Sequence, residues 1–112
     1  MSTFHQTPEF EKELNKLSKK YPSLERDIEN IKQILLEYPT GIGKNFTIIR
    51  TFENIKIIKV RILCKSLRAR TVRLIYAYHI DRIEFVYIEA YFKGDKENED
   101  RERIVEYLRG FK

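Results

Sequence analysis

The chain contains no tryptophan, one cysteine, three prolines and four glycines in 112 residues. The lone cysteine, Cys64, excludes an internal disulfide and any zinc site built from several thiolates, and it fits a reducing compartment. No apolar run approaches the roughly 20 residues that a membrane span requires. The opening, MSTFHQTPEF, lacks the apolar core of a signal peptide. Internal repeats, low-complexity tracts and linker-like stretches are missing as well. The expectation is a soluble cytoplasmic protein without membrane contact, formed by one domain over 1–112.

What is present in quantity is charge. Charged residues make up 35% of the chain, beside 42% hydrophobic residues that suffice for a modest core. Lys and Arg number 22 against 17 acids, a net +5 that favours a polyanionic or acidic partner.

Thr7-Pro8 is a helix start, with Thr7 as N-cap and Pro8 in the first helical position. Phe10, Leu14, Leu17 and Tyr21 then recur at helical spacing until Pro22. Leu24, Ile28, Ile31, Leu35 and Tyr38 repeat the pattern until Pro39. Two amphipathic helices joined by a tight turn predict a helical hairpin. After the glycine-bearing break TGIGKN, residues 46–52 read as a short strand or an irregular passage. Strands are expected at 56–64, 70–79 and 83–92, joined by short connections and therefore antiparallel. Asp95 is the expected cap of a final helix whose stripe is Ile104, Val105 and Leu108. The fold class is α+β: an N-terminal helical hairpin on one face of a three- to four-stranded antiparallel sheet, with a C-terminal helix.

Strand alternation sorts the side chains. Ile58, Val60, Ile62 and Cys64 share one face of the first main strand, and Val72, Leu74 and Tyr76 share one face of the second. In the third, Val86, Ile88, Ala90 and Phe92 form the apolar set, opposite Phe85, Tyr87, Glu89, Tyr91 and Lys93. With the apolar faces under the helices, Lys59, Arg61, Arg73, Glu89, Tyr91 and Lys93 meet on the other side. Charges on an open sheet face are usually solvated, and a cross-strand Arg–Glu pair is usually structural. The apolar neighbours Ile57, Leu63, Ile75 and Phe85 point instead to a face that is concave or covered.

Other candidates carry less. His5 and His79 lack the companions of a metal site, and His79 reads as an exposed turn residue. Cys64 falls on the apolar parity, as a small buried hydrophobe. GIGK follows a helix and lacks the spacing and hydroxyl of a phosphate loop, so no nucleotide site is assigned there. No metal and no cofactor are expected.

Taken in order, TPEFEKEL, IIKVRILCKSL, TVRLIYAY and IEAYFKGDKENEDRERIVEYL resemble the RelE/ParE toxin superfamily of toxin–antitoxin modules over nearly the whole chain. The likeness is greater to the RelE branch. It implies a ribosome-dependent mRNA endoribonuclease that inhibits translation without a metal, the RNA 2′-hydroxyl attacking the adjacent phosphate. Lys59 and Arg61 match the cations of one central strand in that branch, and Arg73 matches the arginine of the next. The pattern departs after the last strand: Lys93 and Lys96 stand where an arginine and a later catalytic tyrosine or histidine are common. Tyr91 is the nearest phenol on the right face, whereas Tyr107 reads as packing. A cognate antitoxin covering the basic face is implied as a partner, together with mRNA and ribosomal RNA.

Such a transfer needs a base, an acid and cations for the phosphorane charge. Arg61 and Arg73 suit the cationic role, since guanidinium binds phosphate bidentately and keeps its proton. Lys59 serves as a second clamp or as a base made more acidic by its neighbours. Glu89 is the conventional base, Tyr91 a stacking or proton-donating group, and Lys93 the neutraliser of the leaving oxygen. Lys65, Arg68, Arg70 and Lys96 would contact further RNA phosphates. Two alternatives remain: a ParE-like inhibitor of DNA gyrase that cuts nothing, and a catalytically weak RNA-binding relative.

Overall fold

The computed structural model describes residues 3–67 and 70–111. Strand β1 (Phe4–Gln6) leads into helix α1 (Pro8–Lys20), and two short helices follow, α2 (Leu24–Glu29) and α3 (Lys32–Glu37). Strands β2 (Phe46–Phe52), β3 (Ile55–Cys64), β4 (Arg70–His79) and β5 (Glu84–Phe92) precede helix α4 (Arg101–Arg109). The sheet has five strands in the order β1-β5-β4-β3-β2, with β1 parallel to β5 and every other pair antiparallel. The class is α+β, as expected, but the sheet is mixed and larger than three or four antiparallel strands. Strand β1 was not foreseen because three residues carry no readable period, and its pairing partner lies some eighty positions away.

Helix α1 starts as its sequence dictates: Thr7 Oγ1 accepts from the Phe10 amide at 3.2 Å, with Pro8 following the cap. The expected second arm of the hairpin is not one helix. At Asn30–Ile31 the ladder tightens, the Ile31 amide bonding to the Ile28 carbonyl at 3.2 Å, and α2 and α3 separate. The apolar stripe nevertheless runs through the break, since Leu24, Ile28, Ile31 and Leu35 are all buried. The cap of α4 is also corrected: Asp100, not Asp95, accepts from the Arg103 amide at 3.1 Å. Asp95 instead belongs to the turn that closes β5, its amide bonded to Phe92 O at 3.0 Å.

Both sheet faces are covered, one fully and one in part. Phe10, Leu14, Leu24, Ile28 and Leu35 from the helices pack on Ile58, Val60, Cys64, Val72, Leu74, Tyr76 and residues of β5. On the other face, Ile104 and Leu108 of α4 cover Ile55, Ile57, Ile75, Ala77 and Ile88. Each large apolar side chain removed from water contributes about 1.5–3 kcal/mol, so α4 is held firmly over that end of the sheet. The Lys59, Arg61 and Arg73 end is left open.

The parity expected for β5 holds only in its second half. A register shift lets Ile75 pair with Glu89 while Tyr76 pairs with Tyr87, so Ile88 is the extra residue of a β-bulge. Phe85 and Tyr87 therefore face α1–α3, and Val86 and Ile88 turn toward α4. Past the bulge Ala90 and Phe92 return to the first core, and Tyr91 lies in the second.

A polar knot ties the helices to the turn after β3. Asp27, buried, accepts from Ser23 Oγ at 2.7 Å and from the Lys65 amide at 3.1 Å, and Ser23 and Ser66 exchange bonds of 2.8 and 2.9 Å. Among the described residues no helix is long and apolar enough to cross a membrane.

Candidate functional site: a cationic cavity on the open sheet face

Two cross-strand rows build the site. Arg61 of β3 is paired with Arg73 of β4, and Arg73 with Tyr91 of β5. In the neighbouring row Thr47, Lys59, Ile75 and Glu89 are paired in turn. All seven side chains share the face that α4 covers only in part. Directly opposed cations in a sheet are destabilising by about 0.2–1 kcal/mol unless an anion lies between them.

Lys59, Arg61, Arg73 and Lys93 line one cavity of about 310 Å³, closed by Asn45, Thr47, Glu97 and Asn98. That volume matches roughly ten waters, enough for a phosphate and part of a sugar. Arg61, Arg73 and Lys93 form no ion pair among the described residues. Arg73 donates to Thr71 Oγ1 at 3.0 Å, which aims the guanidinium without neutralising it. Arg61 reaches the Lys44 carbonyl at 3.4 Å, a weak tether.

Lys59 is different. Its Nζ donates to Glu99 Oε1 at 3.0 Å, and the Glu99 side chain is only 10% exposed. Burial works to raise the Glu99 carboxyl, but its backbone amide, Lys59 and Arg101 outweigh that and hold it below the usual carboxylate range. Glu99 thus stays ionised at neutral pH. Tyr91 lies beside it, its phenol pushed up to about 12 by burial and by the charges of Glu99 and Glu89. The Tyr91 hydroxyl is buried without a well-formed hydrogen bond and does not line the cationic cavity.

Glu89 shares the face but not the cavity. It is wholly buried, paired with Lys96 Nζ, and accepts from the Asp100 amide at 2.9 Å. Its role is to fasten the 93–100 segment and the start of α4 to the sheet. Lys96, the neutralising partner, also lies over the Tyr91 ring at 5.3 Å. Lys65 is exposed beside the Asp27 knot; it does not line the cationic cavity but borders a neighbouring cleft that shares Asn45 and Arg61 with it. Arg68 and the side chain of Arg70 lie outside the described residues.

His79 is corrected outright: it is 2% exposed, not an exposed turn residue. Arg82 can only donate, so its contact of 3.0 Å makes Nδ1 an acceptor and leaves the proton on Nε2, facing the Tyr107 hydroxyl. Burial, and then Arg82, lower the His79 pKa. Cys64 is buried as expected.

Asn45, Thr47, Glu97, Asn98 and Glu99 were not singled out from the sequence. Thr47 was legible in principle, since it faces Lys59 once 46–52 is taken as a strand. The others arrive on loops, where no period announces which side chain turns inward. Among the described residues no three of His, Cys, Asp and Glu gather as metal ligands. No family model matches the chain, and neither a curated protein nor a solved structure matches it.

Proposed function

We propose that the chain is a RelE-like toxin of a toxin–antitoxin pair, an endoribonuclease that cuts mRNA on the ribosome by attack of the RNA 2′-hydroxyl on the adjacent phosphate. The carrying observation is the convergence of Lys59, Arg61, Arg73 and Lys93 on one open cavity, three of the four without an ion-pair partner among the described residues. Arg61 and Arg73 clamp the scissile phosphate and stabilise the charge that grows on it. Lys59, fixed by Glu99, supplies a third positive contact. Lys93, exposed at the cavity wall, protonates the leaving 5′-oxygen. Glu89 and Tyr91 are set aside as base and acid, because both are buried and neither borders the cavity. Lys65, Arg68, Arg70 and Lys96 are secondary RNA contacts. The cellular setting is the cytoplasm, and the resting partner is an antitoxin that covers the basic face.

The test is to express the chain and map mRNA 5′ ends. Wild type should give codon-phased cuts, and a folded Arg73→Ala protein should give none. Cutting retained by that variant removes the assignment. Loss of DNA supercoiling with no RNA cuts would favour the gyrase-inhibiting alternative.

A further inference from the structure

A second cleft, of about 330 Å³, adjoins the cationic cavity and is lined by Ile49, Arg50, Glu99, Arg101 and Ile104. A bulge in β2 brings it about: the register shifts between Ile48 and Arg50, and consecutive residues Ile49 and Arg50 both border the cleft. The opposite wall is the start of α4, with Arg101 and Ile104. Arg50 and Arg101 form no ion pair among the described residues. The Lys59–Glu99 pair joins the two spaces, since Lys59 borders the first and Glu99 the second, with 3.0 Å between their charged atoms.

We infer that this cleft seats the ribonucleoside on the 5′ side of the scissile phosphate, and that Glu99 receives the hydrogen bond and then the proton of its 2′-hydroxyl. This rests on the nuclease reading and names the group that reading lacks. The apolar walls of Ile49 and Ile104 suit a base or ribose, and the exposed Arg50 and Arg101 suit the flanking phosphate or the face of a base. An ionised carboxylate only accepts hydrogen bonds, so it pairs with a hydroxyl and gains nothing from a deoxyribose. Glu97 is the rival carboxylate, but it is exposed and has no ion-pair partner among the described residues, whereas Glu99 is held in place. Fixed geometry is what proton transfer requires.

The reaction balances within these groups. The 2′-hydroxyl proton passes to a Glu99 carboxylate oxygen as O2′ bonds to phosphorus. The P–O5′ bond breaks, and O5′ takes a proton from the Lys93 ammonium. The products are a 2′,3′-cyclic phosphate and a 5′-hydroxyl end, after which solvent restores both side chains.

The experiment measures binding rather than cutting. A labelled short oligoribonucleotide and the oligodeoxyribonucleotide of the same sequence are titrated with the full chain at low salt. Wild type should prefer RNA by about tenfold, the worth of one hydrogen bond to a charged group. Glu99→Ala should bring the ratio near one without weakening DNA binding, because Lys59 is freed for phosphate, and Glu97→Gln should leave the ratio intact. If Glu99→Ala does not fold, the isosteric Glu99→Gln must reduce the ratio. Equal binding of RNA and DNA by wild type, or an unchanged ratio in the folded Glu99 variant, overturns the inference. If the ratio is unchanged but Arg73→Ala still abolishes binding, only Glu99's role falls. If Arg73→Ala binds both strands as wild type does, the phosphate reading falls with it.

Discussion

Arg61 and Arg73 are direct cross-strand partners in the middle of the sheet, and no carboxylate among the described residues pairs with either. Two permanent positive charges in register are a local cost that the apolar cores on both faces must offset. Such an arrangement is relieved by an anion placed between them.

Inorganic phosphate at low ionic strength should therefore raise the melting temperature of the wild type by a few degrees. Arg73→Ala should melt no lower than wild type in phosphate-free buffer and should lose the phosphate-dependent rise. Thermal scans with and without phosphate, at matched ionic strength, decide it. An equal rise in both proteins would show that the anion binds elsewhere.

Tyr91→Phe should keep RNA cleavage, because the phenol is buried beside Glu99 and away from the cavity walls. Its stability should be unchanged or higher by up to about 1 kcal/mol, since an unmet buried hydroxyl is removed. Glu89→Ala should behave in the opposite way. It strips the Asp100 amide and Lys96 of their partner and should destabilise by about 1–3 kcal/mol, discounted for the partial exposure of Lys96. Denaturant titrations beside a cleavage assay normalised to folded protein separate the two effects.

His79 makes stability fall on the acid side. Its folded pKa lies below the ordinary 6.5, because burial and then Arg82 disfavour the charged ring. The neutral ring's contribution is thus complete above about pH 6.5, and it is lost as pH drops toward the folded value. Tyr107, pushed up to about 12 by burial, stays protonated throughout. His79→Gln should lower stability at pH 7 and flatten the change between pH 7 and 5. Urea midpoints at both values check the slope, and a variant as steep as wild type would place the acid sensitivity in other groups.

Two backbone positions have opposite preferences. Gly41 sits at φ +90°, and an added Cβ there would run into the Phe46 ring, so Gly41→Ala should cost about 2 kcal/mol or more. Ile83 is β-branched yet sits at φ +51°, with 63% of its surface exposed. Ile83→Gly relieves that strain and should stabilise by about 0.5–1 kcal/mol after the entropy of glycine is subtracted. Thermal melts of both variants report the signs.

Periodicity alone placed three strands to within a residue or so of Ile55–Cys64, Arg70–His79 and Glu84–Phe92, and parity alone put Lys59, Arg61 and Arg73 on one side. Those features are legible because a strand's alternation is a local property of its backbone, unaffected by what lies across the sheet. The rest came from contacts between distant parts of the chain. A bulge at Ile88 reversed the faces of Phe85 and Tyr87, and bulges depend on pairing rather than on composition. The position of α4 decided which half of the basic face stayed open, and the 93–100 loop decided that Glu99, not Glu89, would meet Lys59. The residues and the sidedness of the cations were thus written in the sequence, while the cavity and its carboxylate were decided by tertiary structure, because loop paths follow from how the packed elements close on one another.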